Sequence, residues 1–136
     1  KLLSKIIDNP QLDFLMTAFA CETTDYWKTH YRFGVVSPEK SRKTGKQSVE
    51  SILINAVVPF LFCYGQLKGN ESLKEKALSL LEQIPAERNI IITNWKNTGM
   101  KIESAYDSQA FLQLKKMYCD EKKCLRCRIG HKVLTI

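Results

Sequence analysis

Ile52-Leu53-Ile54-Asn55-Ala56-Val57-Val58-Pro59-Phe60-Leu61-Phe62 is apolar on nearly every side once wound into a helix. That pattern marks a central helix wrapped by others. The helix is expected to begin near Lys46 and run to about Tyr64, with Gly65 as its left-handed stop. Pro59 removes a backbone donor and crowds the carbonyl of Asn55, so a kink is expected there. The Asn55 amide is a candidate to satisfy a backbone group freed by the kink. The apolar run Ile52 to Tyr64 is too short to span a bilayer.

The flanking sequence supplies partners for this helix. Toward the N-terminus, Asn9-Pro10 reads as a cap followed by Pro at the first helical position. Leu12, Leu15, Met16 and Phe19 then repeat at helical spacing. Asp25 is a candidate cap for a short helix on which Trp27, His30 and Tyr31 share a face. Between Gly34 and Lys46 the chain turns to Ser, Pro, Gly, Lys and Arg, an exposed loop in which Lys40, Arg42, Lys43 and Lys46 form a small basic cluster.

Beyond Gly65, Asn70 caps an amphipathic helix with Leu73, Ala77, Leu80, Leu81 and Ile84 inward, and Pro85 ends it. Asn89 to Asn97 forms another helix, closed by Gly99. Its three β-branched residues Ile90, Ile91 and Ile92 leave a short strand as the alternative. Ser104 to Tyr118 is the last long helix. Nothing alternates with period two for long enough to build a sheet. The expected fold is therefore all-α: a single-domain orthogonal helical bundle of about five or six helices over 1–136. It has a central kinked apolar helix and an irregular Cys-rich C-terminal turn.

With 136 residues, 44% of them apolar, the chain can bury a real core, and its composition argues against disorder. Its formal net charge of +7 favours polyanionic partners, although solubility alone would explain it equally well. The first residue is Lys, so the chain is expected to be the C-terminal fragment of a longer protein. Five cysteines at uneven spacing, with no secretory signal, fit a reducing cytoplasm and no membrane partner.

The chemistry-bearing stretch is Cys119-Asp-Glu-Lys-Lys-Cys124-Leu-Arg-Cys127, followed by His131. Tetrahedral zinc takes thiolate and imidazole ligands, and Cys119, Cys124, Cys127 and His131 supply three sulfurs and one nitrogen. An iron–sulfur cluster is the alternative, completed by Cys21, Cys63 or a ligand from outside the chain. A redox dithiol at Cys124 and Cys127, or plain free thiols, are the remaining readings. Nearby Lys and Arg are expected to lower the thiol pKa values.

The same segment carries Lys115, Lys116, Lys122, Lys123, Arg126, Arg128 and Lys132 against only Asp120 and Glu121. This is the best nucleic-acid footprint in the chain, set against the reading of an ordinary solvated face. Tyr26, Trp27, His30, Tyr31 and Phe33 could line a pocket, though a histidine among aromatics is more often hydrogen-bonded than catalytic. Asp107-Ser108 reads as local capping. Cys21 and Cys63 read as small core residues. No nucleophile elbow, phosphate loop or dinucleotide fingerprint is present, and the scattered carboxylates give acid–base catalysis no home.

Four runs carry a resemblance. Tyr26 to Gly34, Leu53 to Gly65, Ala105 to Ala110 and Cys119 to Gly130 resemble the C-terminal region of the bacterial domain-of-unknown-function family 2851. The resemblance implies no assigned activity. It implies an N-terminal region in full-length members that looks like a restriction-endonuclease-type core, with this chain as its helical companion. An iron–sulfur cluster held by C-terminal cysteines is part of that implication, and His131 is the weakest of the four ligands.

Overall fold

The computed structural model describes residues 2–40 and 43–134. Arg42 of the expected basic cluster lies outside the described residues. The fold is all-α, with one two-stranded hairpin as the only sheet among the described residues. The chain forms two compact units, Lys1–Leu80 and Leu81–Ile136.

In the first unit, α1 (Leu2–Asp8) precedes the expected first helix. Pro10 acts as a breaker between two helices, not as a first helical residue. Gln11 donates its backbone N–H to the Asn9 carbonyl at 2.9 Å, and α2 starts only at Leu12 (Leu12–Phe19). Leu15 is the residue of α2 that is fully buried. α3 (Asp25–Thr29) takes Thr24 at its N-cap, while Asp25 sits in the first turn and pairs with Lys28 at 2.6 Å.

The chain then leaves helical geometry. His30–Arg32 form β1, Gly34 turns in the left-handed region at φ 71°, and Val35–Val36 return as antiparallel β2. Trp27, His30 and Tyr31 therefore do not share a helical face. The aromatic run favours extended backbone, and Gly34 supplies the turn that closes it.

The central element runs without interruption from Lys46 to Lys68, 23 residues. It consists of α4 (Lys46–Ile52), a π turn (Leu53–Val57) and α5 (Val58–Lys68). The irregularity expected at Pro59 takes the form of this π turn, in which Val58 N–H reaches the carbonyl of Leu53. Asn55 Nδ2 reaches back one turn to the Ser51 carbonyl at 2.9 Å.

The helix passes through Gly65 and stops at Gly69, at φ 63°. Gly69 N–H bonds the Gln66 carbonyl and Asn70 N–H bonds the Gly65 carbonyl at 2.8 Å, the paired closure of a Schellman motif. Gly65 has a different task. A Cβ there would stand 2.9 Å from Lys74 Cγ and 3.0 Å from the Asn70 carbonyl oxygen, so its bare backbone lets α6 (Glu71–Gln83) come close. Asn70 caps α6 by accepting from Leu73 N–H at 3.0 Å.

Val49, Leu53, Ile54, Val57, Val58 and Leu61 are buried along the central helix, and Leu73, Ala77 and Leu80 along α6. Each full burial of such a side chain is worth about 1.5–3 kcal/mol. The central helix is not wrapped on all sides, however. Ile52, Phe60 and Cys63 are exposed, and 39% of its most apolar window is buried. By length and composition alone this helix could cross a bilayer, a test that a core helix also passes.

In the second unit, Asn89 caps α7 (Ile90–Asn97) by accepting from Ile92 N–H at 3.0 Å, so the Ile-rich run is helical. Thr98 and Gly99, at φ 87°, close it. α8 (Ala105–Leu114) opens with a complete capping box. Ser104 Oγ accepts from Asp107 N–H at 3.2 Å, and Asp107 Oδ2 accepts from the Ser104 and Glu103 N–H groups at 3.1 and 3.0 Å. These bonds hold the Asp107 carboxyl below its ordinary pKa.

Fully buried Ser108 accepts from Glu87 N–H at 3.3 Å and donates to the Ala105 carbonyl at 3.1 Å. Ala105 N–H bonds the Ile84 carbonyl at 2.7 Å. Ser108 and the Ala105 N–H thus fasten the start of α8 to the segment 84–87, while Asp107 caps the helix locally, and α8 then leads into the cysteine turn.

Candidate functional site

α8 does not end cleanly at Leu114. It continues through a π turn (Lys115–Cys119), closed by Asp120 N–H on the Lys115 carbonyl at 2.9 Å. Lys115 Nζ also meets the Asp120 carboxylate. The chain then reverses through Lys122, which adopts a positive φ of 52°, an uncommon conformation for a side chain with a Cβ. Lys123 N–H bonds the Tyr118 carbonyl at 2.8 Å. A single 3₁₀ turn (Cys124–Arg126) follows, in which Cys127 N–H reaches the Cys124 carbonyl at 3.2 Å. The last element is α9 (Arg128–Leu134).

Gly130 sets how closely α9 approaches this turn. A Cβ at that position would lie 2.6 Å from the Cys124 carbonyl oxygen and 3.1 Å from its Cα.

Cys119, Cys124 and Cys127 line one cavity of about 130 Å³ together with Trp95, Leu114, Tyr118, Ile129 and Gly130. Cys127 is buried, while Cys119 and Cys124 are exposed. His131 lies elsewhere: it lines a neighbouring hollow with Leu125, Arg126, Cys127 and Arg128. The fold therefore brings the three sulfur residues of the sequence-derived set to a common wall and leaves the imidazole out of it. Among the described residues, no group of three His, Cys, Asp or Glu side chains is arranged to hold a metal ion as it stands.

The Cys119 thiol departs from the expected lowering of its pKa. Cys119 is exposed as a residue, yet partial burial of its thiol pushes the pKa up, neighbouring Cys127, Cys124 and Asp120 add to the rise, and only Lys115 opposes it. The dense cations of the segment do not activate this thiol, because burial and negative neighbours outweigh the one cation close enough to count. Cys21 and Cys63 are exposed, not core. On α5 the buried positions Val58, Leu61 and Gly65 form one stripe, and Cys63 lies about 200° round the helix from Leu61.

Of the seven basic residues, Lys115 pairs with Asp120 and Lys123 with Glu121 at 3.7 Å. Among the described residues no carboxylate pairs with Lys116, Lys122, Arg126, Arg128 or Lys132, all of them exposed. In the first unit, Lys43 meets Glu22 and Lys46 meets Glu50 at 3.9 Å, so two members of that smaller basic cluster are paired.

Sequence reasoning did not separate out Trp95, Leu114 and Ile129, which wall the thiol cavity. Their only signal was apolar periodicity, which they share with every core residue.

The fold and the site together define an all-α, positively charged chain whose second unit carries a thiol-lined pocket. The chain belongs to the family described as Protein of unknown function (DUF2851), which it matches over residues 1–90. The Ala105–Ala110 and Cys119–Gly130 runs lie beyond the matched residues. No curated protein and no solved structure matches the chain.

Proposed function

We propose that this chain is a non-enzymatic helical accessory module of a larger cytoplasmic protein, acting beside an N-terminal region of its own chain and engaging nucleic acid. The contact surface is Lys115, Lys116, Lys122, Lys123, Arg126, Arg128 and Lys132. The supporting observation is that five of these cations are exposed without an acidic partner among the described residues, on a turn braced by Gly130. Phosphate neutralisation by such a cluster releases counterions, so affinity falls steeply with salt. The test is titration of labelled duplex and single-stranded DNA at low and raised salt. Salt-sensitive binding that weakens on removing Lys122, Arg126 and Arg128 is the expected result. Absence of binding at low salt would end the reading.

A second reading is favoured by the shared thiol cavity. In it, Cys119, Cys124 and Cys127 hold zinc or an iron–sulfur cluster that stabilises the C-terminal turn, and His131 or a ligand from elsewhere completes the set. Binding would have to draw the sulfurs inward and deprotonate them, which couples the metal to folding. Stoichiometric zinc or iron in full-length protein, prepared without chelator and without air, is the expected finding. Metal-free protein with all three thiols titratable in the native state would reject it.

A further inference from the structure

The aromatic hairpin of the first unit is a rigid, outward-facing element that neither reading above uses. Tyr26 anchors it from α3. Its ring stacks on His30 at 4.1 Å and 8°, and its hydroxyl accepts the Gly34 N–H at 2.9 Å, which pins the turn. His30 Nδ1 lies 2.9 Å from the Tyr26 carbonyl and 3.0 Å from Thr29 Oγ1, so its polar edge is occupied by local contacts. Trp27 packs edge-on against Phe33 at 4.8 Å.

On this base the hairpin presents Tyr31 and Phe33 to solvent, 72% and 81% exposed. Arg32 lies between them and is also exposed. Each ring would hide about 150–250 Å² of surface when covered, and the two stand beside exposed Val35 and Val36 on the same hairpin.

Cations gather round the same element. The Lys40 N–H bonds the Lys28 carbonyl at 3.0 Å, and the Ser37 N–H bonds the Thr29 carbonyl at 2.7 Å. The segment 37–40 after the hairpin is thereby laid against α3, which sets the Lys28 and Lys40 backbones side by side next to the hairpin that carries Arg32. Glu22 and Asp25 are taken up by Lys43 and Lys28. Glu39 is the one further carboxylate there, and it is felt by Lys28. Arg32 and Lys40 pair with no carboxylate among the described residues.

We infer that the hairpin is a stacking platform for single-stranded nucleic acid. Unpaired bases lie on Tyr31 and Phe33 while Arg32 and Lys40 meet the adjacent phosphates. A duplex hides its base faces, so this chemistry selects single strands, and it tolerates sequence because every base has a π face. The surface lies in the first unit and shares no residue with Lys115 to Lys132, so the two proposals fail separately.

The test uses the whole chain and a fluorescein-labelled twelve-residue oligothymidylate, with a duplex of equal length beside it. Replacing Tyr31 and Phe33 together by Ala is expected to weaken oligothymidylate binding about tenfold or more and to leave duplex binding nearly unchanged. Phe33→Trp is expected to keep or raise single-strand affinity, since Trp stacks at least as well. Lys122→Ala with Arg128→Ala is expected to weaken the duplex more than the single strand.

Unchanged single-strand affinity in the double aromatic variant, with an unaltered circular dichroism spectrum, would overturn the inference. So would loss of affinity in Phe33→Trp equal to that in Phe33→Ala. If sedimentation shows that the Ala variant instead abolishes a concentration-dependent self-association while binding is untouched, the hairpin is a protein interface and the inference is equally overturned.

Discussion

The α-carbon of Gly130 stands so near the backbone of Cys124 that a methyl group placed on it would meet the Cys124 carbonyl oxygen at 2.6 Å. That single approach fixes the cysteine turn against α9. It also reverses the usual sign of a glycine substitution inside a helix. Elsewhere, replacing a mid-helix glycine by alanine stabilises by about 0.5–1 kcal/mol. Here Gly130→Ala is expected to destabilise the second unit by roughly 1–3 kcal/mol, because the obstacle is backbone and cannot swing away. Denaturant titration checks this, and faster labelling of buried Cys127 by a thiol reagent should accompany it.

The capping box predicts a pH effect with a definite direction. Hydrogen bonds from Glu103, Ser104 and the Ser104 hydroxyl favour ionised Asp107 and depress its pKa. A group depressed in the folded state contributes stability that is present above its unfolded pKa, near 4, and is lost as pH falls through the lower folded value. Asp107→Asn should therefore flatten the acid limb of the stability curve below about pH 4, with little change in slope at neutral pH. Ser104→Ala should cost about 1 kcal/mol at neutral pH. Thermal melts across a pH series would read both.

The central helix should respond unequally on its two sides. Leu61 is fully buried, so Leu61→Ala is expected to cost about 2–5 kcal/mol. Leu67 on the same helix is 84% exposed, and Leu67→Ala should stay within about 0.5 kcal/mol. Equal effects at the two positions would mean that the exposed side is covered in solution.

If the tail binds phosphates, its salt slope is countable. Each cation that neutralises a duplex phosphate contributes about 0.9 to the slope of log affinity against log salt. Removing Lys122, Arg126 and Arg128 together should lower the slope by about 2 to 3, whereas Lys115→Ala, whose charge is already taken by Asp120, should change it less.

The contrast between what was and was not legible follows physical lines. Asn70 was readable as a cap because a short polar side chain before an apolar repeat has few other uses, whereas Asn89 and Ser104 were read only as helix starts and their capping bonds emerge from the structure. Gly65 and Gly69 were not separable by sequence. One is a close-packing site and the other a left-handed stop, and only the position of α6 distinguishes them. The hairpin at His30–Val36 was missed because its strands are too short to alternate, so the helical spacing of Trp27, His30 and Tyr31 won by default. That Cys119, Cys124 and Cys127 share a cavity wall while His131 lines the neighbouring hollow depends on the turn through Lys122 and on where α9 starts, which spacing alone does not give. The family match stops at residue 90, short of both the capping box and the thiols.

The π turn over Leu53–Val57 has a consequence for how this helix tolerates length changes. Buried residues recur every four positions, at Val49, Leu53, Val57, Leu61 and Gly65. In a regular helix turning about 100° per residue, such a repeat creeps sideways by about 40° at each step. The wider turn winds more slowly and takes back part of the creep, behaving as one surplus residue spliced into an ordinary spiral. Deleting a single residue between Asn55 and Val57 should therefore relax the helix to uniform winding while Leu61 and Gly65 keep their bearing. The same deletion two turns later would swing everything after it away from α6.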